Sequence, residues 1–131
     1  MTETRPPTDN DRHPPNTAED ILARYSAGER NFNKADLPEG SDLRGVILAG
    51  ADFRDSWLSG VNFQDADLRG VCFDGSNVKV SDFRNAYLRG ASFRDCALCG
   101  VELAGAKLGD VATDGATYYG AAIDDIRKLL H

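Results

Sequence analysis

Residues 41–120 divide without a gap into sixteen blocks of five: SDLRG VILAG ADFRD SWLSG VNFQD ADLRG VCFDG SNVKV SDFRN AYLRG ASFRD CALCG VELAG AKLGD VATDG ATYYG. An isolated helix repeats its face about every 3.6 residues and a flat strand every two, so a period of five belongs to neither. The third position is Leu in eight blocks and Phe in five, with Val78, Thr113 and Tyr118 in the rest. The first position is Ala, Ser, Val or Cys in all sixteen. A large and a small residue therefore alternate through the core-facing positions. The fifth position is Gly in ten blocks and Asp or Asn in five, with Val80 the exception. These residues tolerate positive φ, which predicts a corner in every block.

Residues twenty apart sort by size. Leu48, Leu68, Leu88 and Leu108 form one column; Phe53, Phe73, Phe93 and Thr113 form another. The remaining two run Leu43, Phe63, Phe83, Leu103 and Leu58, Val78, Leu98, Tyr118. Such sorting suits an interior in which like stacks on like in successive coils. An alternation of Phe and Leu with a period of ten accounts for part of it.

These blocks resemble the pentapeptide-repeat family, whose consensus is a small residue, Asp or Asn, Leu or Phe, a polar residue, and Gly. The resemblance reaches back to NFNKADL around Phe32 and Leu37, is interrupted by one residue too many within PEGS at 38–41, and weakens at 113. The leader ILARYSAGERNF is similar to the helix that often precedes such repeats in photosynthetic bacteria. The resemblance implies an all-β solenoid: a right-handed, quadrilateral β-helix with four blocks per coil and the central Leu or Phe pointing inward. Its core is then defined by Leu48, Phe53, Phe63, Leu68, Phe73, Phe83, Leu88, Phe93 and Leu98. From Phe32 to Ile123 there is room for about 4 to 5 coils, some 22 Å at about 4.8 Å per coil.

The ends of so short a stack need covering. Thr17 can cap a helix, Asp20 sits in its first turn, Ile21, Leu22 and Tyr25 make an apolar stripe, and Gly28 suits the stop. This predicts a capping helix within 17–28, the solenoid over 29–123, and a short C-terminal helix over 124–131, with Asp124 as its cap. Together, 17–131 form a single domain. Residues 1–16 hold four of the five prolines and one large apolar residue, Met1, and are expected to be disordered.

CALCG at 96–100 poses the question of zinc or redox chemistry. In the block pattern Cys96 is the inward small residue and Cys99 points outward past Leu98, so the wall separates the two thiols. Cys72 faces outward on another side. Oxidation of Cys72 or Cys99 between chains stays open. A fourth zinc ligand is wanting too, because His13 and His131 lie in the terminal segments. The glycines follow the corner period and not a phosphate-binding spacing. No catalytic residue, cofactor site or metal site is predicted, and the chain is not expected to be an enzyme.

The outward positions differ from side to side. The first side sets Asp42, Asn62, Asp82 and Glu102 beside Arg44, Gln64 and Arg84, columns that neutralise one another. The second has Arg69 and Arg89 with Ile47 and Tyr87; the third alternates Arg54, Asp74, Arg94 and Asp114. The fourth carries Trp57, Ser59, Asn77, Lys79, Ala97, Cys99, Thr117 and Tyr119, with Val80 in place of a corner Gly. With Lys79 its single charge, that side is the candidate interaction face. The alternatives are a terminal segment folded over it, or nothing.

With 15 Lys and Arg against 21 Asp and Glu, a net charge of -6 argues against direct nucleic-acid binding. No apolar run is long enough for a membrane span, nor does the first stretch read as a signal peptide, so a cytoplasmic location is expected. The function expected is a non-enzymatic protein-binding or scaffold module acting on a protein partner or on itself. The resemblance adds two alternatives: mimicry of DNA toward a type II topoisomerase (gyrase), and a regulatory role in bacterial cell differentiation. Mimicry asks for a long acidic rod. Residues 32–123 hold thirteen acids against nine bases, and the arginines interrupt most acidic columns.

Overall fold

The computed structural model describes residues 13–130. From Asn31 to Thr117 the described chain is built from parallel bridges between residues one circuit apart. Four ladders result: Asp42–Asn62–Asp82–Glu102, Ile47–Asp67–Tyr87–Lys107, Asp52–Cys72–Ser92–Ala112, and Trp57–Asn77–Ala97–Thr117. Asn31 joins the third ladder through Asp52, and Asp36 the fourth through Trp57, each at a separation of one residue more than the twenty seen elsewhere. The surplus residue in PEGS is thus absorbed between Asp36 and Asp42, and both bridging and the alternation of faces continue across it.

The block ADLRG shows why five residues suffice for a repeat. Ala66 donates its N–H to the Phe63 carbonyl (3.1 Å) across the corner, and Asp67 donates to Val46 in the preceding circuit (2.8 Å). Leu68 and Gly70 donate to Tyr87 and Arg89 in the following circuit (2.9 and 3.0 Å). The remaining N–H, that of Arg69, goes to the Asp67 carboxylate (3.3 Å). All five backbone donors are satisfied, as a buried wall demands. The same turn recurs at Asp42, Asp52, Asn62, Asn77 and Asp82, whose side chains accept from the N–H two residues on. Asp or Asn at the second position is a backbone requirement here.

Leu48, Leu68, Leu88 and Leu98 are buried, as are Phe53, Phe63, Phe73, Phe83 and Phe93. Rings stack within a column, Phe73 on Phe93 at 4.9 Å and Phe63 on Phe83 at 5.2 Å, and meet edge to face between columns, Phe83 against Phe93 at 5.6 Å. The small first-position residues do more than fill gaps. Ser76 and Ser81 donate to the Phe53 and Leu58 carbonyls (both 2.7 Å), and the Cys96 thiol donates to Phe73 (2.9 Å).

Helix α1 (Ala18–Ser26) starts at Thr17, whose side chain accepts from the Asp20 N–H, and stops at Gly28. There the Gly28 and Glu29 N–H groups reach back to Tyr25 and Arg24, with Gly28 at φ 97°. Ile21 is fully buried, Leu22 and Tyr25 only half-buried, and the Tyr25 hydroxyl donates to the Ala49 carbonyl (2.8 Å). Arg24 is buried too, held by Asp20 (2.8 Å) and the His13 carbonyl (3.1 Å).

Three expectations need correction. Residues 13–16 belong to the folded part: Pro15 is buried and its carbonyl accepts from Asp36 (2.9 Å), because the backbone ahead of α1 supplies acceptors that Arg24 and Asp36 use. The first twelve residues lie outside the described part. At the other end parallel bridging stops with Thr117. There β1 (Thr117–Tyr118) pairs antiparallel with β2 (Ala121–Ala122) through a two-residue turn, Tyr119 and Gly120, both at positive φ. That turn type reverses the chain, so the last block is a hairpin and not another corner. The C-terminal segment, expected as a helix over 124–131 capped by Asp124, makes a single 3-10 turn over Ile126–Leu129, and Asp125 is its cap. Only Ile126 and Leu129 of it are buried, too short an apolar stripe to stabilise further turns.

Candidate interaction face

The fourth ladder begins with Asp36 and runs through Trp57, Asn77 and Ala97 to Thr117. Trp57 is 58% exposed. Asn77 is half-buried because its side chain accepts from the Lys79 N–H (3.0 Å), leaving Lys79 pointing out. Ser59 donates to the Lys79 carbonyl across the ladder (3.3 Å). Ala97 and Cys99 are half-buried on the same wall, and Cys99 Sγ accepts the Tyr119 N–H (3.0 Å).

Val80 departs most from the repeat. It holds φ 51°, a left-handed conformation that its branched Cβ opposes, and its side chain is 53% exposed. The neighbouring corner in the next circuit has to be Gly100, since a Cβ there would lie 2.7 Å from Val80 Cγ1. The strained valine gains little burial in return.

Two residues change the picture drawn from sequence. Asp36 bridges Trp57 and adds a carboxylate to a wall expected to carry Lys79 alone; it lies ahead of the extra residue, out of phase with the later blocks. With Lys34, Asp55, Ser56, Trp57 and Asn77 it lines a cavity of about 380 Å³. Tyr119 sits on the hairpin turn at φ 50° rather than on the flat wall, 71% exposed, its ring edge-on to Tyr118 at 4.8 Å.

The three thiols are free. Cys96 lies in the interior, its pKa pushed up to about 12 by burial, while Cys99 faces the outer wall. Partial burial raises Cys72 as well. Among the described residues no three His, Cys, Asp or Glu side chains are placed to hold a metal ion, and no helix is long and apolar enough to cross a membrane.

The model of the family described as "Pentapeptide repeats" matches eight copies over residues 39–75 and 81–111, over half of the chain. This chain belongs to the pentapeptide-repeat family. Members of the family form right-handed β-helices. A pentapeptide repeat protein from Nostoc Pcc 7120 is 30% identical, superposes with a TM-score of 0.76, and is matched over 92% of this chain and 98% of that one. A second, from the cyanobacterium Cyanothece 51142, is also 30% identical, with a TM-score of 0.64 over 67% of this chain and 60% of that one. HetL, a pentapeptide repeat protein involved in heterocyst differentiation regulation from Nostoc sp. strain PCC 7120, is 25% identical with a TM-score of 0.51, over 71% of this chain and 49% of that one. The chain thus spans less than two thirds of the latter two. No curated protein matches it.

Proposed function

We propose that this pentapeptide-repeat protein is a non-enzymatic protein-binding or scaffold module. The described residues, 13–130, form its single domain, a quadrilateral right-handed β-helix of about 4 to 5 coils closed by α1 and the C-terminal hairpin and turn. Its contact surface is the fourth wall, centred on Trp57, Val80 and Ala97. The observation that carries this reading is Val80: a β-branched residue in the left-handed region, exposed beside an exposed tryptophan. Strain of roughly 1–2 kcal/mol that yields no core packing is retained where the side chain serves something outside the fold. Exposed aromatic anchors on a flat wall favour such a role.

Light scattering after gel filtration of the wild type and of Trp57→Glu, with and without reductant, tests it. A wild-type dimer dissociated by the variant identifies the wall as a self-association surface. If both are monomers, a pull-down with Trp57→Glu as the control must show partners that the variant loses; recovery of the same partners by both sinks the reading.

Likeness to HetL favours a second reading, a regulatory part in cell differentiation, which a deletion phenotype in the source organism tests. Mimicry of DNA toward gyrase is disfavoured by charge, because Arg44, Arg69 and Arg84 sit on Asp42, Asp67 and Asp82 at 2.6–2.9 Å and cancel the acidic columns. Protection or inhibition in a gyrase supercoiling assay would revive it.

A further inference from the structure

The second wall holds an arrangement that no other wall repeats. Where Arg occupies the fourth position of a block and Asp the second, the two pair: Arg44 with Asp42, Arg54 with Asp52, Arg69 with Asp67, Arg84 with Asp82. In AYLRG the second position is Tyr87, so Arg89 has no carboxylate to meet. Its side chain alone among those of the described arginines makes no hydrogen bond, ion pair or ring contact. Lys107, next on the ladder, lies over the Tyr87 ring at 5.0 Å. Three cations, Arg69, Arg89 and Lys107, against Asp67 and the corner residue Asp110 leave this wall at +1 on a chain of net charge -6.

At its other end the same wall carries Ile47, 63% exposed; Tyr87, 45% exposed, stands beyond the Asp67–Arg69 pair and beneath Lys107. Beside Ile47, Leu22, Tyr25 and Val46 help line a cavity of about 580 Å³ between α1 and the wall. Ile47 and Tyr87 stand two ladder steps apart, about 10 Å, which three residues of extended chain span.

We propose that the second wall docks an acidic segment of a partner protein, one apolar side chain entering the cavity beside Ile47 and carboxylates meeting Arg89 and Lys107. Charge complementarity selects this occupant. Arg89 offers a guanidinium fork fitted to a carboxylate, and the cavity wants an apolar side chain that a nucleic acid lacks. The excess of a single positive charge is also too small to hold a phosphate backbone against a net charge of -6. This surface is separate from the fourth wall and does not depend on that reading.

The test is to pan phage-displayed random dodecapeptides on the full chain and measure synthetic versions of the enriched sequences by fluorescence polarisation. Expected are peptides joining one or two large apolar residues to several acids, with affinity falling as salt rises. Arg89→Glu with Lys107→Glu should weaken them about tenfold or more. Ile47→Asp should weaken them as well, and Trp57→Glu should leave them unchanged. If the double variant loses the native circular dichroism spectrum, Arg89→Gln with Lys107→Gln replaces it. The proposal is overturned by no enrichment over bare beads, by enrichment of basic or uncharged peptides, or by affinity indifferent to the folded double variant. Tighter binding of a short oligothymidine than of any peptide overturns it too, as does a dimer that these substitutions dissociate.

Discussion

At the scale of single residues, the pentapeptide rule is clearest where it is broken. Val80 holds a glycine's backbone without being glycine, so Val80→Gly is expected to raise the unfolding free energy by about 1 kcal/mol in urea titration, the relief of left-handed strain outweighing the added chain entropy. Gly100→Ala should destabilise, and by less once Val80 is glycine, because the new methyl would otherwise press on Val80 Cγ1. A double-mutant cycle reads that coupling directly. Cys96 breaks the rule only in appearance. Its thiol donates to the Phe73 carbonyl as Ser76 does to Phe53, so Cys96→Ser should cost less than about 1.5 kcal/mol. Alkylation near neutral pH, followed by mass spectrometry, should modify Cys99 well before Cys96, whose thiolate burial suppresses.

At the scale of elements, stability resides in stacks that cross circuits. Phe73 has Phe53 and Phe93 above and below it and Phe63 and Phe83 edge-on, so Phe73→Ala is expected to cost about 3–5 kcal/mol, measured by thermal or urea unfolding. Helix α1 depends on its ends. Gly28→Ala forces a Cβ into φ 97° at the stop signal and should cost about 1 kcal/mol. Thr17, Gly28 and the Ile21 stripe were legible because capping and periodicity are local. The buried Arg24 was not: what covers it is the His13 carbonyl, eleven residues away, and no periodicity announces that contact.

At the scale of the whole molecule, paired charges set the response to acid. The Arg44 and Arg69 guanidinium groups hold Asp42 and Asp67 below the ordinary carboxylate value of 3.8. At Asp82 partial burial pushes upward, but Arg84 and Gln64 outweigh it. A depressed folded-state pKa contributes stability above the unfolded value, and that stability is lost as pH falls through the folded value. Unfolding midpoints should therefore drop below about pH 4, and Asp67→Asn with Asp82→Asn should flatten that slope. Sequence by itself determined the period, the inward columns, the corners and the family, because each five-residue block satisfies its own backbone: a turn carbonyl, an Asp or Asn side chain, and neighbours at a constant offset. The surplus residue of PEGS was legible for the same reason, as a slip in that offset. Only the tertiary structure decided that the last block folds back as a hairpin, that Asp36 stands beside Trp57, and that no carboxylate of a neighbouring circuit pairs with Arg89 as Asp74 and Asp114 do with Arg94. Each of these depends on which groups meet across a circuit, and a residue's partner twenty positions away is set by stacking rather than by its own block.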